Sequence, residues 1–285
     1  MIHCDTLVIG AGASGLYFSH LQKKSSEKII ILEKSRGVGG RFATRRIDNR
    51  PIDHGIQWLH SKPPVFGEKT VRQAQGYYFP DGMTAFAKLM AKDLEIHFSQ
   101  RAKNLSYKNS HWITETLEGE TYQSTRVIIT SPLPQTMDLL GREHCGQLPH
   151  YSKALEGIFI LDEIPTTMIS FEKNDHIFTF MKDKNLHPKA LVVALSAEVS
   201  EENFERPDGE CLEMVLDVFK EYLPKLKFSH VELKRWRYAR PLHVLPEPFL
   251  ELEKDLFLIG DSFCDGETTG AFASAEALSK KLSSI

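Results

Sequence analysis

The feature that most constrains the fold is a glycine-rich turn near the start of the chain. Residues 4–9 predict a short buried strand, which runs directly into the segment GAGASG at residues 10–15. Residues 13–24 then have the pattern of a helix. A strand, a GxGxxG turn and a helix in this order form the first unit of a dinucleotide-binding fold. We therefore predict an α/β protein that binds a dinucleotide near its N-terminus.

Each glycine of this turn has a predicted mechanical role. Gly10 permits the tight turn, Gly12 lets the backbone approach a pyrophosphate, and Gly15 lets the helix pack closely on the strand. The phosphates are expected at the helix N-terminus, beside Ala13 and Ser14. Unpaired backbone N–H groups and the positive end of the helix dipole stabilise negative charge there.

A second buried strand is predicted at residues 28–32, which ends at an acidic residue and leads into a basic loop. Glu33 follows Gly15 by 18 residues, and its carboxylate can accept hydrogen bonds from the adenosine ribose hydroxyls. The loop that begins at Lys34 reads KSRGVGGRFATRR. Gly40 allows the backbone to approach a flat cofactor, and Arg41 can donate bidentate hydrogen bonds to phosphate oxygens. We predict a second pyrophosphate contact here, with Lys34, Gly40 and Arg41 as cofactor-binding residues; the alternative is a solvated basic loop.

Composition excludes several classes of protein. The chain has 285 residues, 41% hydrophobic and 26% charged, which suits one large domain or two intertwined ones. A net charge of -3 offers no attraction for nucleic acid or an anionic membrane. No apolar stretch approaches the roughly 18 residues of a membrane-spanning helix, and no secretory leader pattern is present. Four scattered cysteines and the absence of HExxH predict a cytoplasmic protein with reduced thiols and no metal site.

The basic loop carries a specific resemblance. Residues 36–41 resemble the RxxGGR element of the flavin amine oxidase superfamily, and GGRFATRR together with DHGIQW at residues 53–58 resembles bacterial renalase-like proteins. The resemblance implies FAD as the cofactor. It also implies that His54, Gln57 and Trp58 lie near the flavin. The residues by themselves are equally consistent with a loop anchor.

A second motif near the C-terminus resembles the other FAD-binding element of that superfamily. Residues 256–261, LFLIGD, predict a buried strand that ends in an acidic residue, followed by a loop and a helix over residues 271–282. The resemblance implies that Gly260 and Asp261 contact cofactor hydroxyls. It also implies that the helix N-terminus, at Gly270 and Ala271, faces the flavin, where its dipole would stabilise the negative charge of reduction. Packing alone would explain the helix but not the loop.

The middle of the chain predicts a second layer. Residues 95–123 predict a small antiparallel layer, and residues 127–134 predict a strand that either returns to the cofactor sheet or simply ends at its prolines. Further strands are predicted at residues 157–161, 166–171, 177–180 and 190–195, and an amphipathic helix at residues 210–223.

The expected architecture is a Rossmann-like FAD-binding domain of the glutathione reductase/amine oxidase type with an intertwined α+β substrate domain. We assign residues 1–60, 80–135 and 251–285 to the FAD-binding domain. Residues 61–79 and 136–250 are assigned to the substrate or cap domain.

A last motif lies in the predicted substrate domain. The sequence WRYA at residues 236–239 resembles an element of bacterial renalase-like chains. Trp236 and Tyr238 can stack on a planar ring, and Arg237 can hold a phosphate or carboxylate. The alternative is an edge strand whose large side chains only pack and extend to solvent.

The resemblance implies an FAD-dependent oxidase that takes hydride from a dihydropyridine nucleotide, an isomer of NAD(P)H, and reduces O2 to hydrogen peroxide. The candidate catalytic residues are His54, Gln57, Trp58, Trp236, Arg237 and Tyr238. Two alternatives stay open: an amine oxidase acting on a small amine, and a non-catalytic FAD-binding redox protein in which Cys264 is either a redox thiol or inert. The expected partners are a small-molecule substrate and O2, without nucleic acid, membrane or metal.

Overall fold

The computed structural model describes residues 1–141, 149–163, 172–174, 177–182, 187, 189–222 and 227–284. The strands in these ranges are β1 (Ile2–Ile9), β2 (Ile29–Glu33), β3 (Phe42–Ile47), β4 (Arg50–Gly55), β5 (Val71–Gln73), β6 (Gly76–Tyr78), β7 (Glu95–Phe98), β8 (Ala102–Lys108), β9 (His111–Thr116), β10 (Thr121–Ile129), β11 (Tyr151–Leu161), β12 (Glu172–Asn174), β13 (Ile177–Lys182), β14 (Ala190–Leu195), β15 (Phe228–Pro241), β16 (Leu250–Glu253) and β17 (Leu256–Leu258). The helices are α1 (Ala13–Gln22), α2 (Met83–Ala91), α3 (Leu133–Leu140), α4 (Ala197–Asn203), α5 (Asp208–Tyr222) and α6 (Glu267–Ser283).

The larger sheet has a parallel core in the order β17-β10-β1-β2-β7, with β16 antiparallel at one edge. Strands β8 and β9 add an antiparallel meander to β10. The strand predicted to return to the cofactor sheet does so, because β10 pairs with β1 in parallel. The antiparallel layer begins later than predicted: β7 joins the parallel core beside β2, where its residue Ile96 packs against the main apolar cluster.

Helices cover both faces of this sheet, so its central strands are buried on both sides. Val8, Ile31 and Ile128 face one apolar cluster, which includes residues of α1, α2 and α6. Neighbouring strand residues such as Leu7 and Ile30 face the other cluster, to which α3 contributes. Each fully buried side chain of this size contributes about 1.5–3 kcal/mol. The continuous apolar runs in these strands are typical of parallel sheets.

The second sheet is antiparallel, in the order β12-β13-β14-β11-β15. Residues of α4 and α5 share an apolar cluster with β11, β14 and β15. The predicted strand over residues 190–195 is confirmed as β14, and the predicted helix is confirmed as α5. The strand predicted over residues 166–171 lies outside the described residues. The two large sheets are formed by different parts of the chain. The domain boundaries given above stay a prediction.

The hairpin β3–β4 connects the two sheets. Ile52 of β4 is fully buried against Ile158 and Ile160 of β11 and against Ala190 and Val192 of β14. This packing brings the end of β4, at Gly55, against the second sheet. Within the described ranges no helix is long and apolar enough to cross a membrane. The same residues contain no group of three or more His, Cys, Asp or Glu placed to hold a metal ion.

Candidate functional site

The ends of four parallel strands meet at one edge of the larger sheet. The glycine turn follows β1, Glu33 ends β2, Thr130 follows β10, and Gly260 lies just beyond β17. The Thr130 hydroxyl donates to the carbonyl oxygens of Ile9 and Gly10 at 3.0 and 3.1 Å. Open α/β sheets bind ligands at the carboxyl ends of their strands. This edge is therefore the candidate binding site.

The glycine turn leaves open space beside the start of α1. A Cβ at Gly15 would lie 2.1 Å from the Gly10 carbonyl oxygen, so only glycine lets α1 come this close. A Cβ at Gly12 would meet nothing within 4 Å, which leaves open space beside the helix N-terminus. Gly12 is the N-cap of α1 and makes no side-chain cap, and Ala13 and Ser14 form its first turn. Their positions fit a pyrophosphate held by backbone N–H groups.

Glu33 ties the glycine turn to the basic loop. One carboxylate oxygen accepts the Ala11 N–H at 2.9 Å, and the other accepts the Ser35 N–H at 2.8 Å. Each oxygen keeps a second lone pair, so the ribose contacts predicted for Glu33 fit this arrangement. Lys34 instead reaches sideways, where its Nζ donates to Gln135 Oε1 at 3.2 Å. Burial, followed by the charge of Arg101, lowers the pKa of Lys34.

The second glycine loop contacts the first. The Gly39 N–H donates to the Ala11 carbonyl oxygen at 2.8 Å, and a Cβ at Gly40 would lie 3.5 Å from the Gly12 Cα. Arg41 Nη1 donates to Asp261 Oδ2 at 2.6 Å and to the Ala239 carbonyl oxygen at 2.9 Å. The phosphate contact foreseen for Arg41 stays a prediction. In the structure its Nη1 joins the basic loop to the C-terminal motif.

Asp261 is held by a buried network. Tyr151 Oη donates to Asp261 Oδ1 at 3.0 Å and shares a further hydrogen bond with Ser262 Oγ. Burial raises the pKa of Tyr151, and the Asp261 charge raises it further, so the phenol stays protonated. For Arg41, burial lowers the pKa but the Asp261 carboxylate more than offsets this, and the guanidinium stays charged. Asp261 thus connects the cofactor edge with strand β11.

The start of the last helix differs from the prediction. Helix α6 begins at Glu267 after the N-cap Gly266, so Gly270 and Ala271 lie one turn inside it. The predicted start at Ala271 is where the apolar residues of the helix begin, and the polar turn before it also belongs to the helix. Gly270 has a packing role, since a Cβ there would lie 2.4 Å from the Phe263 carbonyl oxygen. The Gly260 N–H donates to Ser274 Oγ of the same helix at 3.2 Å.

The structure brings His54 and Trp236 together, although 182 residues separate them in the sequence. Their ring centroids lie 5.6 Å apart with an interplanar angle of 33°. Gly55 has φ +93°, and a Cβ there would lie 2.9 Å from Trp236 Cζ2, so the indole packs directly on the backbone. Burial, then the Lys234 charge, lowers the pKa of His54 to about 4. Its buried Nδ1 has no hydrogen-bond partner among the described residues.

Strand alternation separates the residues of the WRYA motif. Tyr238 shares the face of Trp236, and its ring centroid lies 5.9 Å from that of Tyr151 in a perpendicular arrangement. Arg237 points to the opposite face. There its Nη2 donates to Glu205 Oε1 at 2.9 Å, and its guanidinium lies 4.9 Å from the Phe204 ring centroid. The structure therefore does not place Arg237 with the other candidates.

The remaining two candidates lie in the loop after β4. Gln57 is buried. Trp58 packs edge-to-face on Tyr78 of β6, with ring centroids 5.3 Å apart. The neighbouring residue Leu59 forms a bridge with Tyr77. These contacts fit the interpretation of Trp58 as a loop anchor.

Sequence reasoning missed two residues of this region, Glu156 and Tyr151. The Glu156 carboxylate accepts the N–H of Gly55 at 2.6 Å and the indole N–H of Trp236 at 3.3 Å. Burial raises its pKa to about 7, although both hydrogen bonds act in the opposite direction. A signal was available, because a lone acidic residue beside an apolar strand run is a candidate buried charge. No signal pointed to Tyr151, since its partner Asp261 is 110 residues away.

These features define an α/β protein of the dinucleotide-binding class. Residues 8–68 match the family model of the NAD(P)-binding Rossmann-like domain, and residues 68–279 match that of the flavin containing amine oxidoreductases. The second match covers most of the chain. The chain therefore belongs to the family of flavin containing amine oxidoreductases. Its cofactor is FAD, and it is an oxidoreductase.

Known relatives are similar at low identity. The uncharacterized oxidoreductase CzcO of Bacillus subtilis is 27% identical over 156 residues, a match that covers 53% of this chain and only 40% of that protein. Renalase of Mus musculus is 20% identical, and the match covers 97% of this chain and 98% of renalase. A putrescine oxidase variant of known structure is 11% identical with a TM-score of 0.70, and each chain is covered completely. That likeness shows the fold.

Proposed function

We propose that this oxidoreductase oxidises a dihydropyridine nucleotide, an isomer of NAD(P)H, and passes the electrons to O2. FAD held at the glycine turn and Glu33 would supply the redox chemistry, as an acceptor of hydride from the substrate and a donor of two electrons to O2. The ring of the substrate loses a hydride and becomes an aromatic pyridinium, while O2 gains two electrons and two protons, one of them from solvent, and leaves as hydrogen peroxide. The similarity to renalase along nearly the whole chain supports this proposal.

The observation that carries the proposal is the pair of half-buried rings of His54 and Trp236, which we call the candidate substrate face. The two rings are tilted by only 33°, and planar groups of this kind bind heteroaromatic rings by offset stacking. His54 is neutral at pH 7 because its pKa is lowered to about 4.

The proposed reaction requires no side chain that takes up or releases a proton on the substrate. Forming an aromatic pyridinium drives hydride loss, so no general base is needed on the substrate side. The residues of the face contribute by holding the ring in one orientation near the cofactor edge. The Arg41–Asp261–Tyr151 network, which spans from that edge to β11, keeps the two sides of the site in fixed relation.

Oxidation of a small amine is the second candidate. The family match favours it, and so does the perpendicular Tyr151–Tyr238 pair beside Trp236, because aromatic faces attract ammonium groups. A binding role without turnover has less support. Burial, then the charge of Asp265, raises the pKa of the Cys264 thiol, which disfavours a reactive thiolate.

The test is anaerobic reduction of the purified FAD-loaded protein. Dihydro isomers of NAD and NADP, and separately a panel of primary amines, are added while the visible flavin absorbance is followed. We expect a dihydropyridine isomer to bleach the flavin, with colour returning in air and one hydrogen peroxide formed per nucleotide oxidised. Bleaching by amines alone would establish the second candidate. Failure of every donor would leave a binding role.

A further inference from the structure

Glu156 joins the two parts of the candidate substrate face. We propose that Glu156 is a positioning residue, which holds the Gly55 backbone and the Trp236 indole in one arrangement and thereby sets the KM for the planar substrate. This inference rests on the proposed function, since it assumes that the substrate ring binds against the Trp236 face. It names a residue that acts through Trp236 and does not itself touch the reacting atoms.

The geometry of the carboxylate carries the inference. Glu156 lies on β11 and is 7% exposed. Its Oε2 accepts hydrogen bonds from two different elements, the Gly55 N–H at the end of β4 and the Trp236 Nε1–H of β15. The indole is also pressed against Gly55, where an added Cβ would lie 2.9 Å from Trp236 Cζ2. One oxygen atom therefore fixes both the turn that leads to Gln57 and the plane of the indole.

Packing alone does not require a carboxylate at this position. A buried carboxylate is costly unless it is hydrogen-bonded, and the two bonds it makes here are to neutral donors. Among the described residues, Arg240 of β15 lowers its pKa, Lys234 lies opposite it in the register of β11 and β15, and His54 of β4 packs on its partner Trp236. Burial raises the pKa of Glu156 to about 7, so the carboxyl changes charge within an accessible pH range.

This titration gives a readout that is independent of activity. The chain has three tryptophans, so the holoenzyme should give three indole N–H signals in a nitrogen-15 NMR spectrum. Substituting Trp236→Phe assigns one of them. We expect the chemical shift of the Trp236 indole N–H to change between about pH 5 and about pH 9 in the wild type and to stay constant in Glu156→Gln. Trp112 donates its indole N–H to the Lys254 carbonyl oxygen and serves as the internal control.

Kinetics then test the positioning role. Glu156→Gln keeps an acceptor oxygen for both donors, and we expect its KM to stay within about twofold of the wild type. Glu156→Leu removes the acceptor, and we expect KM to rise about tenfold or more with a smaller change in kcat. Glu201→Gln is the matched control, because its carboxylate binds Lys153 of the same strand and lies on the surface. Its KM should equal that of the wild type.

The outcomes separate this inference from the function on which it rests. A Trp236 signal that ignores pH, or a KM for Glu156→Leu within about twofold of the wild type, overturns the positioning role. If amines but no dihydropyridine nucleotide bleach the wild-type flavin, the proposed function fails and the same KM comparison is made with the amine. If no donor bleaches it, both fail. Where Glu156→Leu does not fold, the wild-type and Glu156→Gln titrations still decide whether the carboxylate holds the indole.

Discussion

Replacing Glu33 by Gln tests the organisation of the cofactor edge most directly. Both carboxylate oxygens of Glu33 accept a backbone N–H, one from Ala11 and one from Ser35. A glutamine side chain has one acceptor oxygen and one NH2 donor, so it can satisfy only one of these two N–H groups. The other would face a donor in a buried setting. Glu33→Gln should therefore weaken the link between the glycine turn and the basic loop.

The magnitude follows from the number of hydrogen bonds lost. A hydrogen bond to a charged group contributes about 1.5–3 kcal/mol, and a buried donor without an acceptor costs about 1–3 kcal/mol. We expect the free energy of unfolding of the apoprotein to fall by about 2–3 kcal/mol. If Glu33 also binds the ribose, the FAD dissociation constant rises by about tenfold or more, since 1.4 kcal/mol is a factor of ten.

Urea unfolding measures the first quantity, and quenching of flavin fluorescence measures the second. Glu95→Gln on the neighbouring strand β7 is the control. The Glu95 carboxylate is 46% exposed, and its Oε1 lies 3.2 Å from Nε2 of His97. Its loss should change the unfolding free energy by less than about 0.5 kcal/mol. The reasoning is refuted if Glu33→Gln unfolds like this control and binds FAD with wild-type affinity.

Three further predictions concern the substrate side. Gly55→Ala should lower the free energy of urea unfolding by about 1–2 kcal/mol, because alanine disfavours the left-handed backbone of this position. The added Cβ would also lie too close to Trp236 and increase this loss, whereas wild-type stability would contradict the prediction. Asp261→Asn should lower the free energy of unfolding by about 2–3 kcal/mol in the same assay. This is less than the roughly 3–5 kcal/mol expected for a fully buried ion pair, because the Arg41 side chain is 24% exposed. An unchanged free energy of unfolding would contradict a stabilising Arg41–Asp261 pair. The raised pKa of Glu156, about 7 against an ordinary 4.5, means that the folded state binds its proton more tightly, so its contribution is present below about pH 4.5 and is lost as the pH rises through 7. Glu156→Gln should accordingly gain on the wild type by up to about 3 kcal/mol between pH 5 and pH 8, whereas a pH-independent difference would contradict the assigned pKa.

Local patterns allowed much of the cofactor side to be predicted. The spacing of Gly10, Gly12 and Gly15 after an apolar strand reflects steric requirements that act within a few residues, and the structure confirms the strand, the turn and the helix. The end of β2 at Glu33 is also confirmed. The helix start at Ala271 was wrong because its first turn is polar and carries no apolar spacing. Element ends of this kind depend on caps and packing more than on periodicity.

The substrate side could be predicted only in part. Trp236 and Tyr238 were recognised as aromatic residues on one strand, but nothing local shows that Trp236 packs on Gly55 or that Arg237 pairs with Glu205 on the other face. The contribution of Glu156 was missed for the same reason. Its partners belong to two strands that are distant in the sequence, and its burial follows from how those strands pack.

The amino-acid sequence by itself indicated the class of this protein, because a glycine turn between strand and helix, an acidic residue after the next strand and an RxxGGR loop are local patterns that predict a bound dinucleotide. The tertiary structure alone decided how the substrate face is assembled. Arg41 meets Asp261, and Asp261 meets Tyr151, across more than a hundred residues. Gly55 meets Glu156 only because hairpin β3–β4 packs on the second sheet. Contacts across more than a hundred residues, or between strands of separate sheets, depend on the register and burial of the whole fold, and no local pattern encodes them.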